Sequence, residues 1–344
     1  MQPAGLDPHE WPPLHRREGC PKQMVYGPCG GVRADGGCEM AEWRCVFADL
    51  AEAVTAERVG VDRPPTALIV PTVLTDLSAP PADATTLRAT ASVLAPSCDA
   101  VLLGDHQDRA DFPPSMLARL IAETGATPWV TMACRDRNRV VLEQELHGLA
   151  YDGVATLLAV TGDGRAFDVR PEVTQVFDLD STRLTALATA AGLPVAVAET
   201  PTAPPVALRP QRLVQKQRAG AQLAVLNYVS DPADVDRFLQ AARAYGLSVP
   251  TIASVPVYTD DRSAAVLDAL PGVDLDATVV RRVLGAADPV AAGIAAAVTE
   301  ALKLLTVNGV AGVNLSGMAS ARSVAYAAGV QAEIGHRIRA AVPR

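Results

Sequence analysis

Eight short apolar runs alternate with longer amphipathic runs after residue 66. The predicted strands are 67–73, 99–104, 127–133, 154–161, 194–199, 221–228, 249–256 and 310–316. Helical periodicity is found at 83–95, 114–124, 137–149, 181–191, 209–219, 232–245, 262–306 and 319–341. Eight successive strand–helix units are typical of a (β/α)8 TIM barrel, whereas an open doubly wound sheet, the competing α/β fold, usually needs fewer. The pattern therefore predicts a closed parallel barrel.

A barrel of this kind places its functional residues at the carboxyl ends of the strands and in the loops that follow them. Polar residues are found at these positions in the third and later units. They include Cys134 to Asn138, Thr161 to Gly164, Glu199 to Pro201, Asn227, Tyr228, Tyr258, Asn314 and Ser316. The clustering supports the barrel but does not specify a reaction, because any barrel carries polar residues there.

Asp163 is the strongest single candidate for catalysis. It follows predicted strand four between two glycines, so its carboxylate can closely approach a cationic or hydrogen-bonding ligand. A capping role for Asp163 in the following turn is the alternative. Asn227 and Tyr228 end predicted strand six, where an amide can read a heterocycle and an aromatic ring can stack, or where both simply form a polar rim.

Lys216 is one of only three lysines, with Lys22 and Lys303, in a chain whose basic residues are otherwise arginine. An anionic partner such as a phosphate or carboxylate is one interpretation of Lys216, and a solvated helix lysine is the other. Arg135 and Asn138, in the loop after strand three, are further candidates for binding a substrate.

Composition limits the classes of partner. The 344 residues carry a net charge of −8, which offers no electrostatic basis for binding nucleic acid or an anionic membrane. No run approaches the roughly 18 apolar residues that span a bilayer. The first residues lack the apolar core of a secretory signal, so we expect a cytoplasmic protein.

Four of the six cysteines lie between residues 20 and 45, with the spacing C-x8-C-x8-C-x6-C. Clustered cysteines in a reducing compartment favour a metal over disulfides. Four thiolates suit tetrahedral Zn²⁺, and such a closed site is normally structural. An iron–sulfur cluster and free or redox-active thiols are the alternatives. The predicted zinc ligands are Cys20, Cys29, Cys38 and Cys45.

The chain is therefore predicted to have two parts. Residues 1–60 would form an extended arm and a small four-cysteine metal-binding module, with a short helix over 40–59. Residues 61–344 would form the barrel, after a proline-containing linker at 60–66.

The stretch "CPKQMVYGPCGGVRADGGCE" resembles the cysteine-rich zinc module associated with methylenetetrahydrofolate reductases of acetogenic and related bacteria, as a partner subunit or a fused segment. The barrel resembles the reductase itself through "VTMACRDRNR", "LLAVTGD", "AETPTAPP" and "QKQRAGAQLAVLNYVSD". Together these stretches cover nearly the whole chain from residue 20. The resemblance implies a folate-binding barrel that reduces 5,10-methylenetetrahydrofolate to 5-methyltetrahydrofolate.

The resemblance also implies roles for individual residues. Asp163 would stabilise the iminium cation of the folate, and Asn227, in the place of a family Gln, would bind the pterin. Flavin contacts would come from Thr161, Gly162, Asp163, Thr200 and Lys216, with Thr200 where many members have His. FAD or NAD(P)H would supply the hydride, and an electron-donor protein or a second copy of the chain would be a partner.

One family feature is absent from predicted strand one. Family members carry a Glu there that acts as general acid for N10, but 67–73 contains Val70 and Pro71 near that position, with no carboxylate before Asp76. A general acid typically contributes about 10²–10⁴ in rate. Two alternatives to the reductase therefore stay open: a tetrahydrofolate-dependent methyl or methylene transferase, and a non-catalytic subunit of a reductase complex.

Overall fold

The computed structural model describes residues 18–56, 66–153, 155–165, 169–270, 273, 275–317 and 322–342. Most of the predicted N-terminal arm and of the linker at 60–66 lies outside the described residues. The boundary predicted between the two parts of the chain stays a prediction.

Eight parallel strands close into a barrel in chain order, with β1 paired to β8. The strands are β1 Val73–Leu77, β2 Ala100–Leu103, β3 Pro128–Ala133, β4 Thr156–Val160, β5 Val195–Glu199, β6 Leu223–Leu226, β7 Thr251–Val257 and β8 Val310–Gly317. The predicted TIM-barrel fold is confirmed.

Ten α-helices accompany the strands in the described part of the chain. They are α1 Ala84–Leu94, α2 Pro114–Ala122, α3 Arg139–Asp152, α4 Ser181–Ala190, α5 Arg209–Arg218, α6 Pro232–Ala244, α7 Asp261–Asp268, α8 Ala277–Leu284, α9 Pro289–Leu304 and α10 Val324–Ala341. The single helical region predicted over 262–306 is therefore three helices. Asp260, Asp276 and Asp288 cap the amino ends of α7, α8 and α9, and these caps mark the separate starts.

The barrel interior is filled by apolar side chains from most of the strands, as expected for a packed core rather than a pore. The interior cluster consists of Leu74, Ala100, Leu102, Trp129, Leu158, Ala196, Leu223, Val225 and Ile252. A larger apolar layer lies between the strands and the surrounding helices. This rigid frame positions the loops at the carboxyl ends of the strands.

The prediction for strand one was wrong by about one strand length. The apolar run at 67–70 is not a strand, and Ile69 is 83% exposed. Pro71 has no N–H to donate to a ladder, and pairing begins only at Val73, opposite Val313 of β8. Asp76 therefore lies within β1, near its carboxyl end.

The cysteine segment, defined here as residues 18–56, consists of turns around one antiparallel bridge between Gly37 and Arg44. The helix predicted over 40–59 does not form in its described part, 40–56. The bridge returns the chain on itself at Arg44, which is incompatible with a continuous helix through Cys45. In the described residues, no helix combines the length and the apolar character needed to cross a membrane.

Candidate active site at the barrel mouth

The carboxyl ends of the strands surround a large cavity, called here the mouth cavity. Its volume is about 1210 Å³, including the part open to solvent, which is ample for a ligand of cofactor size. Its wall contains Asp76, Leu77, Ser78, Leu102, Gly104, Thr131, Leu158, Asp163, Ala198, Val225, Asn227, Ser254, Asn314, Ser316 and Gly317. Two carboxylates from distant parts of the chain, Asp76 and Asp163, thus face one space.

Asp76 is bound on both carboxylate oxygens by neighbours from β8. Oδ1 accepts from Asn314 Nδ2 at 2.9 Å, and Oδ2 accepts from Ser316 Oγ at 2.9 Å and from the Gly317 N–H at 3.3 Å. Burial raises the pKa of Asp76, and these three neutral donors only partly oppose the rise. Asp76 is thereby suited to hold a proton and donate it.

Asp163 is in a different electrostatic environment. Burial raises the pKa of its carboxyl, but the cations Lys22 and Arg135 act to lower it, while Glu39 acts to raise it. Two cations near Asp163 favour its charged form, in contrast to the neutral donors around Asp76. Burial raises the pKa of both carboxyl groups, but only Asp163 has cations beside it, so Asp163 is the better suited of the two to act as an anion.

A second cavity, called here the side cavity, adjoins the first and shares Asp163, Asn227, Ser254 and Ser316 with it. Its volume is about 680 Å³, again including open solvent, and its wall also contains Gly30, Thr200, Tyr228, Pro256, Leu267, Leu270 and Val273. The aromatic ring of Tyr228 and the apolar residues beside it give this space a face on which a flat ring can lie.

Asn227 and Thr200 are joined by a hydrogen bond in the wall of the side cavity. Asn227 Nδ2 donates to Thr200 Oγ1 at 2.9 Å, which orients both side chains. An ideal Cβ built on Gly30 would lie 3.1 Å from Thr200 Oγ1, so the cysteine segment reaches this point of the barrel mouth. The structure thus brings together Asp163, Asn227, Tyr228 and Thr200, four of the residues predicted from sequence.

Arg135 and Asn138 do not line either cavity, although Arg135 Nη1 donates to the Asp163 carbonyl at 3.4 Å. Arg135 is 2% exposed, and its guanidinium donates to Asp136 Oδ2 at 2.9 Å and to the His106 carbonyl at 3.1 Å. Asn138 caps α3 by accepting from the Val141 N–H at 3.0 Å. Neither residue lies in the described walls of the two cavities, so their predicted substrate contacts gain no support.

The residues proposed to contact a flavin are largely engaged by protein groups. Lys216 is buried, with Nζ 2.9 Å from Glu199 Oε2 and a further bond to the Ala198 carbonyl. Thr161 Oγ1 accepts from the Ser181 N–H at 3.0 Å. The Gly162 carbonyl accepts from Lys22 Nζ at 2.6 Å. This set does not fit a flavin in the manner that the resemblance implies, and we derive no step through one.

Three cations surround the single carboxylate of Glu199, beneath the mouth. Arg209 Nη1 lies 3.5 Å and Arg212 Nε 4.0 Å from its oxygens, in addition to Lys216. Burial acts to raise the pKa of Glu199, but Lys216, Arg212 and Arg209 outweigh it and lower that pKa. Burial lowers the pKa of Lys216 to about 8, and the carboxylate of Glu199 opposes that shift by favouring the charged ammonium. Lys216 is therefore part of a buried ionic cluster.

The four N-terminal cysteines carry thiols and line one small cavity within the cysteine segment. Burial raises the pKa of Cys20, and it raises the pKa of Cys29 to about 12. Among the described residues, no group of three or more His, Cys, Asp or Glu side chains has the arrangement of a metal site. The donor chemistry suits zinc, since four thiols share one cavity. Zinc binding stays a prediction.

The cysteine segment packs along α4 and α5, and Gly30 within it lines the side cavity at the barrel mouth. The Val25 N–H donates to Asp180 Oδ2 at 3.1 Å, Arg209 Nη1 to the Cys29 carbonyl at 2.9 Å, and the Ala56 N–H to Gln215 Oε1 at 2.7 Å. These bonds span more than 150 residues of sequence. The segment is part of the wall around the site.

Sequence reasoning missed three residues near the site: Asp76, Lys22 and Glu39. A signal for Asp76 existed, because Pro71 disfavours a strand over 67–73 and shifts the strand toward Asp76. Lys22 and Glu39 had no local signal that they contact the barrel, since their partners are Gly162 and Gly164, more than 120 residues away.

Two family models match this chain. Residues 88–328 match the family model described as methylenetetrahydrofolate reductase. Residues 14–62, which include all four clustered cysteines, match the model described as methylene-tetrahydrofolate reductase C terminal. That module precedes the barrel in this chain. A search of curated proteins found no match.

Two solved structures are similar to this chain at low sequence identity. An uncharacterized protein from Clostridium thermocellum, described as binding two copies of 5-methyl-5,6,7,8-tetrahydrofolic acid, is 12% identical, with a TM-score of 0.53. The alignment covers 77% of this chain and 94% of that protein. Tryptophan synthase from M. tuberculosis is 13% identical over 78% of this chain and 92% of that one, with a TM-score of 0.45. The first of these likenesses shows a shared fold.

Proposed function

We propose that this chain, which belongs to the methylenetetrahydrofolate reductase family, reduces 5,10-methylenetetrahydrofolate to 5-methyltetrahydrofolate with a hydride taken directly from NAD(P)H. The observation that carries the proposal is the pair Asp76 and Asp163, which line one cavity at the barrel mouth. The structural neighbour from Clostridium thermocellum, described as binding 5-methyl-5,6,7,8-tetrahydrofolic acid, adds support for a folate ligand.

The two carboxyl groups have separate roles, one as a proton donor and one as an anion. Asp76 donates a proton to N10 of the folate, the bond between N10 and the methylene carbon breaks, and the positive charge moves to the N5 iminium. Asp163, whose charged form is favoured by Lys22 and Arg135 against the opposing effect of burial, stabilises that cation. The nicotinamide then gives a hydride to the methylene carbon, forming the N5-methyl group and NAD(P)⁺. Asp76 regains its proton from water, so one proton and one hydride are consumed in each turnover.

Asn227 and Tyr228 bind the pterin in this proposal. The Asn227 amide is oriented by its bond to Thr200 Oγ1 and can hydrogen-bond the edge of the heterocycle. Tyr228 lies in the wall of the side cavity, where the ring of the pterin or the nicotinamide stacks. The two adjoining cavities hold the two ring systems face to face, which hydride transfer requires.

Direct hydride transfer is supported by the residues expected to contact a flavin, because protein groups already occupy them. Lys216 is bound to Glu199, and the Gly162 carbonyl is bound to Lys22. The transferase alternative depends on the lack of a carboxylate in strand one, and the presence of Asp76 in β1 favours the reductase instead.

The test uses the full chain and a nicotinamide that carries deuterium at the transferring position. Direct transfer places the deuterium in the methyl group of the product, as read by mass spectrometry. A reduced flavin would instead exchange its transferable N5 hydrogen with water, so the label would be lost. We expect retained label and no visible flavin absorbance in the purified protein.

Failure to oxidise NADH or NADPH in the presence of 5,10-methylenetetrahydrofolate would reject the reductase. Calorimetric binding of the folate would then separate the remaining alternatives. Binding with methyl transfer to an added acceptor would indicate a transferase, and co-purification with an active reductase would indicate a non-catalytic subunit.

A further inference from the structure

Lys22 is a buried cation that reaches from the cysteine segment into the barrel. It is 2% exposed, and its Nζ donates to the Gly162 carbonyl at 2.6 Å. The same ammonium forms an ion pair with Glu39. A buried lysine normally needs a paired anion, and here the pair is completed within the cysteine segment itself.

Glu39 makes the complementary contact on the other side of Asp163. Its Oε2 accepts from the Gly164 N–H at 3.0 Å, while Oε1 takes the ion pair with Lys22. The carbonyl before Asp163 and the N–H after it are therefore both bound by one ion pair. The Asp163 side chain projects from between these two fixed points into the wall of both cavities.

Of the two glycines beside Asp163, Gly164 makes room for the cysteine segment and Gly162 fits the loop against the barrel. Gly162 has a φ of +91°, a conformation that side chains disfavour, and a Cβ there would lie 3.0 Å from Ala133 Cβ. A Cβ on Gly164 would lie 2.5 Å from Met40 Cγ of the cysteine segment. The "TGDG" stretch is thus shaped to receive the segment as well as to present Asp163.

We propose, on the basis of the proposed function, that Lys22 and Glu39 are positioning residues of the active site. They hold the Asp163 carboxylate at the folate cation from outside the barrel. The cysteine segment thereby supplies part of the catalytic machinery as well as its own fold. The group that Asp163 would recognise is the iminium cation of the folate.

Charges around Asp163 support the same conclusion. The charged groups facing it are Lys22 and Glu39 from the cysteine segment and Arg135 from the loop after β3. Burial has the largest effect on the pKa of Asp163 and raises it. The cations Lys22 and Arg135 act to lower this pKa, and the carboxylate of Glu39 acts to raise it. Removing Lys22 and neutralising Glu39 should therefore move this pKa in opposite directions.

The ion pair also connects the cysteines to the site. Cys29 Sγ lies 3.1 Å from Glu39 Oε1, and both residues line the cavity that the four cysteines share. One carboxylate is thus shared between the cysteine cavity and the Asp163 loop. A change at Cys29 is expected to reach Asp163 through Glu39.

The experiment compares wild type with Lys22→Met, Lys22→Arg and Glu39→Gln in the full chain. Asp163 works as an anion, so activity falls when the pH drops through its pKa. Lys22→Met should move this acidic limb of kcat/KM to higher pH and lower the value at neutral pH by about 10–100-fold. Glu39→Gln should move the limb to lower pH, and Lys22→Arg should restore part of the loss.

The matched control is Arg44→Met together with Asp49→Asn, an exposed ion pair of the same segment with a 3.0 Å contact. It should leave the pH profile unchanged. A purely structural role for Lys22 and Glu39 would lower the melting temperature and leave the limb where it is. The proposal is overturned if the acidic limbs of kcat/KM in Lys22→Met and Glu39→Gln do not move in opposite directions.

A second measurement does not depend on turnover. Hydrogen exchange of the Gly164 amide, followed in a peptide from the 161–165 stretch, should accelerate in Glu39→Ala and stay slow in the control. Unchanged exchange would show that Glu39 does not hold this loop, and would overturn the proposal even with an inactive wild type. An active wild type with unshifted limbs rejects only this inference, whereas an inactive wild type rejects the proposed function.

Discussion

The Asp76 carboxylate accepts a hydrogen bond from Asn314 Nδ2 at 2.9 Å, and this bond joins β1 to β8 where the barrel closes. It holds the side chain at the floor of the mouth cavity with neutral donors on both oxygens. Burial raises the pKa of Asp76, and the groups acting on it in the described residues are neutral, so its acid form is more favourable than that of an exposed Asp. This pair locates the proton donor of the proposed reaction.

Replacing Asp76 should remove the proton donor without removing the cavity. We expect Asp76→Asn to lower kcat by about 10²–10⁴-fold, with folate affinity retained. Asp76→Glu should recover part of the rate, because it restores a carboxyl group. The control is Asp236→Asn on α6, where the carboxylate accepts only from Gln240 among the bonds described. Steady-state kinetics and calorimetry measure the two effects, and full activity in Asp76→Asn would contradict the assignment.

Removing the Asn314 donor should change the pH dependence. The bond from Asn314 acts to lower the pKa of Asp76, so Asn314→Ala should raise that pKa further above its usual range. A proton donor loses activity as the pH rises through its pKa, so the basic limb of kcat/KM should move to higher pH. Asn308→Ala, just before β8 at the opposite end of the barrel, should leave the limb in place. A shift to lower pH would argue against Asp76 as the acid.

The cysteine segment should depend on its metal. We expect wild type to contain one zinc ion per chain, and Cys29→Ser to lose zinc and lower the melting temperature. Four-thiolate zinc sites normally stabilise the fold around them. Metal analysis and thermal unfolding report the two outcomes. Cys98→Ser, at a thiol in the barrel that donates to the Leu94 carbonyl, serves as the control and should keep the metal. A Cys29→Ser protein with unchanged metal and melting would refute the zinc site.

The Glu199 cluster should contribute strongly to stability. Glu199→Gln leaves Arg209, Arg212 and Lys216 buried without their shared anion, and we expect a loss of about 3–5 kcal/mol in the free energy of unfolding. Glu123→Gln, which removes a half-exposed pair with Arg88, should cost about 0–1 kcal/mol. Denaturant unfolding provides both values.

The same cluster has a defined pH signature. The folded-state pKa of Glu199 is lowered, so its stabilisation is present above the unfolded pKa and disappears as the pH falls through the folded pKa. The stability difference between wild type and Glu199→Gln should therefore shrink in acid. A difference that grows on acidification would be inconsistent with a buried anion at this position.

The periodic pattern of the chain predicted the barrel because eight repeated strand–helix units leave few other ways to bury their apolar faces. It also placed Asp163, Asn227 and Tyr228 at the mouth, since residues that follow strands in such a barrel must lie at one end. These predictions depend only on the order of strands and helices along the chain.

Predictions that depended on partners distant in sequence were less successful. The apolar run 67–70 looked like a strand, but pairing starts after Pro71, and this moved Asp76 into β1. Lys216 was expected near a cofactor, but Glu199 holds it in a buried ion cluster. In both places the deciding neighbour lies on a different element, which single-residue patterns do not reveal.

The sequence by itself determined the barrel, the cysteine-rich segment at its front and the polar residues at the strand ends. Only the tertiary structure decided that Asp76 and Asp163 line one cavity, and that Lys22 and Glu39 form hydrogen bonds with the backbone on either side of Asp163. The physical reason is range. Strand and helix periodicity is set by neighbours a few residues away, whereas burial and charge pairing are set by whichever groups the closed barrel brings into contact.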